Sequence, residues 1–87
     1  MSWTVYILRC DDGSLYTGIT TDLERRFKEH LAGRLGARYF NGRRPLEVAW
    51  AEAAVDRSAA QRREAEIKKL SRLEKLRLIN GEAGIPG

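Results

Sequence analysis

Tyr6 and Tyr16 are the side chains whose types and spacing first suggest chemistry in this sequence. Each lies in a short apolar run, Thr4-Val5-Tyr6-Ile7 and Tyr16-Thr17-Gly18, of the kind that favours a half-buried pleated surface. Asp12-Gly13 between them is a hairpin turn signal. A loop from Asp11 to Gly13, closed by Gly13 in the left-handed conformation, sets Cys10 opposite Ser14, Leu8 opposite Tyr16 and Tyr6 opposite Gly18. Alternation along the strands then lands both phenols on one face as diagonal neighbours. Gly18 places no side chain opposite Tyr6, which leaves room for a ligand to approach the sheet. A phenol with a pKa of about 10 acts as a base at neutral pH only beside a cation. The plain alternative is that the two rings pack as ordinary core.

Three further residues carry functional groups at telling positions. Arg26 and His30 lie one helical turn apart, each beside a member of the apolar stripe Leu23, Phe27, Leu31. They flank the buried edge of that helix instead of pointing straight to solvent. Glu64 takes a place in the stripe Ala60, Glu64, Ile67, then Leu70 or Ser71, where a leucine would be expected. A carboxylate turned towards a core is costly unless it is paired or binds a metal. Lys68, one turn on, is a ready partner, in a pair worth a few tenths of a kcal/mol. Glu66 falls on the outer face.

The elements that must position these groups follow from the same patterns. After the hairpin, Thr21-Asp22-Leu23-Glu24 reads as a capping box, and Gly33 as the stop of the helix it opens. A short connection lays that helix over the hairpin. The stretch from Gly33 to Pro45 holds Arg34, Arg38, Arg43 and Arg44 with Tyr39 and Phe40. A basic loop with interleaved rings suits phosphate contact and base stacking, with Phe40 turned inward and Tyr39 and some arginines towards a ligand. Leu46 to Glu52 alternates as a third strand, with Leu46, Val48 and Trp50 on one side and Pro45 at its start. Ser58-Ala59-Ala60-Gln61 reads as a second capping box, opening a helix to about Leu70. Ser71-Arg72-Leu73-Glu74 is a third, opening a short helix that ends near Asn80-Gly81 with Leu73, Leu76 and Ile79 as its buried edge.

Composition bounds the class. Eighty-seven residues make one domain, here 1–80, with 81–87 as a loose tail. A chain of this size buries about 60% of its unfolded surface, so its core is thin. No apolar run approaches the ~20 residues of a membrane span, and the N-terminus enters a strand pattern with no signal peptide ahead of it. A lone cysteine, Cys10, fits a reducing, cytoplasmic setting and a small packed side chain. Sixteen Lys and Arg against twelve Asp and Glu give +4, which suggests a polyanionic partner, nucleic acid first.

The order β-hairpin, helix, loop, strand, helix, helix, with these residues, resembles the GIY-YIG nuclease superfamily. Tyr6 in Val5-Tyr6-Ile7 matches the first motif and Tyr16-Thr17-Gly18 the second. Arg26 and His30 match the motif on the family's first helix, and Glu64 its metal-binding glutamate. The likeness spans residues 1 to about 80 and is greatest to the small single-domain bacterial branch. It extends to the nuclease modules of the excinuclease C subunit and of junction-resolving endonucleases. Thr4-Val5 stands where the family has Gly-Ile, and Asn80 is a weak counterpart of the asparagine some members place late in the chain. No attached DNA-targeting domain is expected.

The resemblance implies a small α/β (α+β) sandwich, a three-stranded antiparallel sheet flanked by helices, and a metal-dependent endonuclease acting on DNA or structured nucleic acid, in repair or recombination. It implies one Mg²⁺ or Mn²⁺ held by Glu64 against a phosphate oxygen, and no small-molecule cofactor. Arg26 would stabilise the charge of the pentavalent state, Tyr6 would orient or deprotonate the attacking water, Tyr16 would position phosphate or water, and His30 would relay a proton from a tyrosine. Arg38, Tyr39, Arg43, Arg44 and Lys68 would contact the nucleic acid. The rival reading is a binding module that keeps the fold and does not cut; a third is a subunit that a protein partner targets or activates.

Overall fold

The structure, a computed structural model, describes residues 2–32 and 43–81. Its elements run β1 (Trp3–Cys10), β2 (Leu15–Thr20), α1 (Leu23–Leu31), β3 (Pro45–Ala54), α2 (Arg57–Lys68) and α3 (Arg72–Ile79). The strands form one antiparallel sheet in the order β2-β1-β3. The predicted stop at Gly33, the loop residues Arg38, Tyr39 and Phe40, and the tail beyond Gly81 lie outside the described residues.

The hairpin has the register its turn chemistry dictates. Leu8 pairs with Tyr16 and Tyr6 with Gly18. Gly13 has φ of +83°, its N–H donates to the Cys10 carbonyl at 2.9 Å, and the Cys10 N–H donates to the Ser14 carbonyl at 2.9 Å. This is the left-handed closing residue a bulged three-residue turn requires.

Alternation divides the sheet into two faces. Val5 and Ile7 point to one, where Ala60 and Ile67 of α2 and Leu78 of α3 complete the buried cluster. Trp3, Leu15, Ile19, Trp50, Leu70 and Ile79 close its margins. Tyr6, Leu8 and Cys10 are buried on the other face, which α1 meets through His30. Burial pushes the Cys10 thiol pKa up, as expected of a packed, unreactive cysteine.

Several boundaries differ from the sequence reading. The N-cap of α1 is Asp22, whose carboxylate accepts from the Arg25 N–H at 3.1 Å, not Thr21. The N-cap of α2 is Asp56, accepting from the Ala59 N–H at 2.8 Å, not Ser58. In each case a charged oxygen at the mouth of the helix outcompetes a nearby hydroxyl, because the helix dipole favours an anion there. The Ser71 capping box is complete: Ser71 Oγ accepts from the Glu74 N–H at 3.2 Å and Glu74 accepts from the Ser71 N–H at 3.0 Å. The α3 helix closes at Asn80, with Gly81 at φ +80°.

The side chains of β3 are not a single alternating set. Ile7 pairs with Trp50 but Leu8 with Val48, so a bulge at Ala49 turns Val48 and Trp50 to opposite faces. Leu46 is exposed. In α1 the buried residue is His30 and Leu31 is exposed; in α3 it is Leu78, while Leu73 is exposed. Both helices are short, and tertiary packing rotates them off the face that periodicity alone selects.

Candidate active site

The central strand β1 delivers Tyr6, and its neighbour β2 delivers Tyr16 and Gly18 on the same face. The phenol rings lie 6.4 Å apart between centroids and are tilted by 44°. The bare backbone at Gly18 is not open space. A Cβ built there would sit 2.6 Å from Tyr6 Oη and 2.8 Å from Cζ, so the Tyr6 ring itself fills the gap. The glycine serves the tyrosine: it lets the phenol lie down across the neighbouring strand.

Helix α1 brings the imidazole of His30 to that phenol. Tyr6 Oη is 3.4 Å from His30 Nε2, and the His30 ring meets Tyr16 edge-on at 5.5 Å between centroids. Burial pushes the Tyr6 pKa well above 10; the neighbouring Tyr16 adds to this, Arg26 opposes it, and Glu64 adds to it. The phenol is therefore protonated at neutral pH. Burial also holds the His30 pKa below 6.5, Arg26 lowers it further, and Glu29 opposes both. A neutral imidazole facing a protonated phenol makes Tyr6 the donor and His30 Nε2 the acceptor.

Arg26 is half-buried and its charge acts on both Tyr6 and His30. A cleft of about 320 Å³ opens beside it, lined by Thr20, Thr21, Asp22, Arg25, Arg26 and Glu29. Glu29 was not among the sequence candidates. It carries a 3.7 Å ion pair with Arg25 and tunes His30, and only its position next to His30 could have signalled this.

Glu64 comes from α2. Ala60 and Ile67 of its stripe are fully buried, and the Glu64 side chain is 23% exposed, so the carboxylate does not stand in open water. Its charge reaches Tyr6, and it pairs with Lys68 Nζ at 3.4 Å. Among the described residues no three His, Cys, Asp or Glu side chains converge as a metal cage. A partly exposed carboxylate suits a hard cation that keeps its waters and takes phosphate oxygens as its remaining ligands.

The loop cations are placed differently. Arg43 donates from Nε to Asp12 at 2.9 Å, and the Arg44 backbone exchanges hydrogen bonds with Asp11 at 3.1 and 2.8 Å. Both fasten the entry of β3 to the hairpin turn. The structure thus joins Tyr6, Tyr16, Arg26, His30 and, electrostatically, Glu64, while Arg43 and Arg44 sit at the turn.

Comparison with known proteins identifies the family. The family model described as the GIY-YIG catalytic domain matches residues 2–77. A UPF0213 protein of Natronomonas pharaonis is 52% identical over 80 residues, 92% of this chain and 93% of that protein. A UPF0213 protein of Desulfotalea psychrophila is 49% identical over 78 residues, 90% of this chain and 71% of that protein. The solution NMR structure of a UPF0213 protein from Bacillus halodurans superposes with a TM-score of 0.60 at 45% identity, covering 97% of this chain and 88% of that one. The same strand and helix order, the paired tyrosines and the family match together make this chain a member of the GIY-YIG family, in its small UPF0213 branch.

Proposed function

We propose that this protein is an endonuclease that hydrolyses phosphodiester bonds of DNA or structured nucleic acid with the help of one Mg²⁺ or Mn²⁺. The observation that carries this reading is the buried Tyr6–His30 pair, 3.4 Å apart, beside the Arg26 charge. Apo hydrogen bonds of this length commonly tighten when substrate binds.

The residues divide the work as their protonation dictates. A phenol held above its ordinary pKa is a poor free base, so Tyr6 acts as a conduit. It takes the proton of the attacking water as it passes its own to His30 Nε2. The water oxygen bonds to phosphorus, the bond to the leaving oxygen breaks, and that oxygen takes a proton from solvent. Arg26 offsets the extra negative charge of the pentavalent state with its guanidinium. Tyr16 packs against both Tyr6 and His30 and fixes their relative orientation. Glu64 would hold the cation, which supplies Lewis-acid polarisation of the phosphate.

The non-cleaving binding module is favoured by one observation, the 3.4 Å Lys68–Glu64 pair, because an ammonium already occupies the carboxylate's field. Incubation with plasmid, junction and single-stranded substrates under Mg²⁺, Mn²⁺ or EDTA separates the two. The nuclease reading expects metal-dependent products with at least one substrate. Binding without cleavage under every divalent metal supports the module. A role in repair or recombination belongs to the same proposal and depends on which of these substrates is cut.

A further inference from the structure

A second cleft has Tyr16 in its wall. A cleft of about 250 Å³ is lined by Leu15, Tyr16, Thr17, Lys68 and Lys75. Tyr16 and Thr17 point to opposite faces of the sheet, yet both line it. They can do so because, among the described residues, β2 is an edge strand paired with β1 alone, and the cleft runs along its open side.

Three features of this cleft ask for an anion. Lys75 is half-buried and makes no ion pair among the described residues. An ammonium with no counter-charge among the described residues is open to an anionic partner. Thr17 is 4% exposed, and its hydroxyl has no hydrogen-bond partner among the described residues, which leaves a buried polar group unsatisfied there. Lys68 adds a second ammonium to the lining, 57% exposed and paired with Glu64 at 3.4 Å. Arg72, whose Nη2 would come within 3.7 Å of a Cβ at Gly13, carries the positive track on towards the hairpin turn. Tyr16, also in its lining, is the same ring that meets His30 edge-on.

We propose that this cleft binds a backbone phosphate of the nucleic-acid strand next to the one held at Tyr6, Arg26 and His30, with Lys75 as its main charge. The strand would then cross the β2 edge over Tyr16, and Lys75 and Lys68 would fix its register. This rests on the nuclease reading of the neighbouring cluster, but binding tests it without turnover.

The test is fluorescence anisotropy with a labelled DNA duplex and its single strand, in EDTA, at several salt concentrations. One contacted phosphate adds about 0.9 to the slope of log affinity against log salt on a duplex, or about 0.7 on a single strand. Lys75→Gln is expected to weaken binding several-fold at low salt and to reduce the slope by roughly one. Lys75→Arg keeps the charge and is expected to retain both, which guards against a folding artefact. Unchanged affinity and slope in Lys75→Gln would overturn the subsite, and would leave the nuclease reading standing wherever the wild type still cuts. The same holds if the wild type does not bind either strand form. Inorganic phosphate provides the last arm. If phosphate moves the Thr17 and Lys75 amide resonances while DNA binding is insensitive to Lys75, the site takes a free phosphoanion and the strand path is wrong.

Discussion

The Tyr6 phenol occupies the volume that a side chain at Gly18 would need. A Cβ there would lie 2.6 Å from Tyr6 Oη and 2.8 Å from Cζ, closer than real contacts permit. The obstacle is a buried aromatic ring, not the loose end of a flexible chain, so the ring must move. Gly18→Ala is expected to cost about 1–3 kcal/mol through overpacking and to displace the phenol from His30. Thermal unfolding and cleavage assays check this. Activity should fall by more than the loss of folded protein explains; a wild-type rate in Gly18→Ala would contradict the role given to Tyr6.

Removing only the Tyr6 oxygen isolates its chemistry. Tyr6→Phe keeps the ring that fills the space over Gly18 but breaks the link to His30 Nε2. The expected loss in single-turnover rate is about 10²–10⁴-fold, the usual worth of a positioned proton-transfer group. Stability should change by only about 1 kcal/mol, the scale of one hydrogen bond. A smaller effect on rate than on binding would show that Tyr6 positions substrate and moves no proton.

His30 sets the response to pH. Burial and Arg26 hold its pKa below 6.5 in the folded chain, so between the folded and unfolded values the unfolded state binds more protons. Stability is therefore full above about 6.5 and declines as pH falls below that value. Under the proposed mechanism cleavage needs a neutral acceptor, so it should hold through pH 6.5 and drop only at more acidic pH. Denaturant unfolding from pH 5 to 8 for the wild type and His30→Gln measures the first effect; the variant should lose much of the acid-side decline. A rate profile that breaks above 7 would contradict a depressed His30.

The caps yield a prediction about folding. Asp56 accepts from the Ala59 N–H at 2.8 Å at the start of α2, the helix that carries Glu64. Asp56→Ala is expected to cost about 1 kcal/mol, within the 0.5–2 range for lost caps. Ser58→Ala should cost little, since Ser58 lies inside the helix. Equal effects of the two substitutions would place the cap wrongly.

Much of this fold was legible because local chemistry and tertiary packing agree. The Asp11–Gly13 loop fixed the hairpin register, and with it the shared face of Tyr6 and Tyr16. Ser71 and Glu74 specified α3 by reciprocal capping. The inward place of Glu64 followed from Ala60 and Ile67, both fully buried. Other features depended on contacts no local pattern encodes. The bulge at Ala49 breaks an alternation that looks unbroken in sequence. His30 is buried in place of Leu31 because the Tyr6 and Tyr16 rings lie over that side of a nine-residue helix. The emptiness read at Gly18 was real in sequence but is filled by a side chain from the next strand. Thr17 figured only as the middle of a motif and Lys75 not at all, since their cleft forms only when α2 and α3 close on the edge of β2.

The central claim is that Glu64 and the Tyr6–His30 pair act together on one phosphodiester. It is tested most directly by nicking of supercoiled plasmid by the wild type and Glu64→Ala, with Mg²⁺ or EDTA, and with plasmid binding measured on the same samples. The account predicts Mg²⁺-dependent nicking by the wild type, none in EDTA, and a loss of at least about 10²-fold in Glu64→Ala with binding retained. Nicking that persists unchanged in Glu64→Ala, or a wild type that binds the plasmid and never cuts it under any divalent metal, would contradict it.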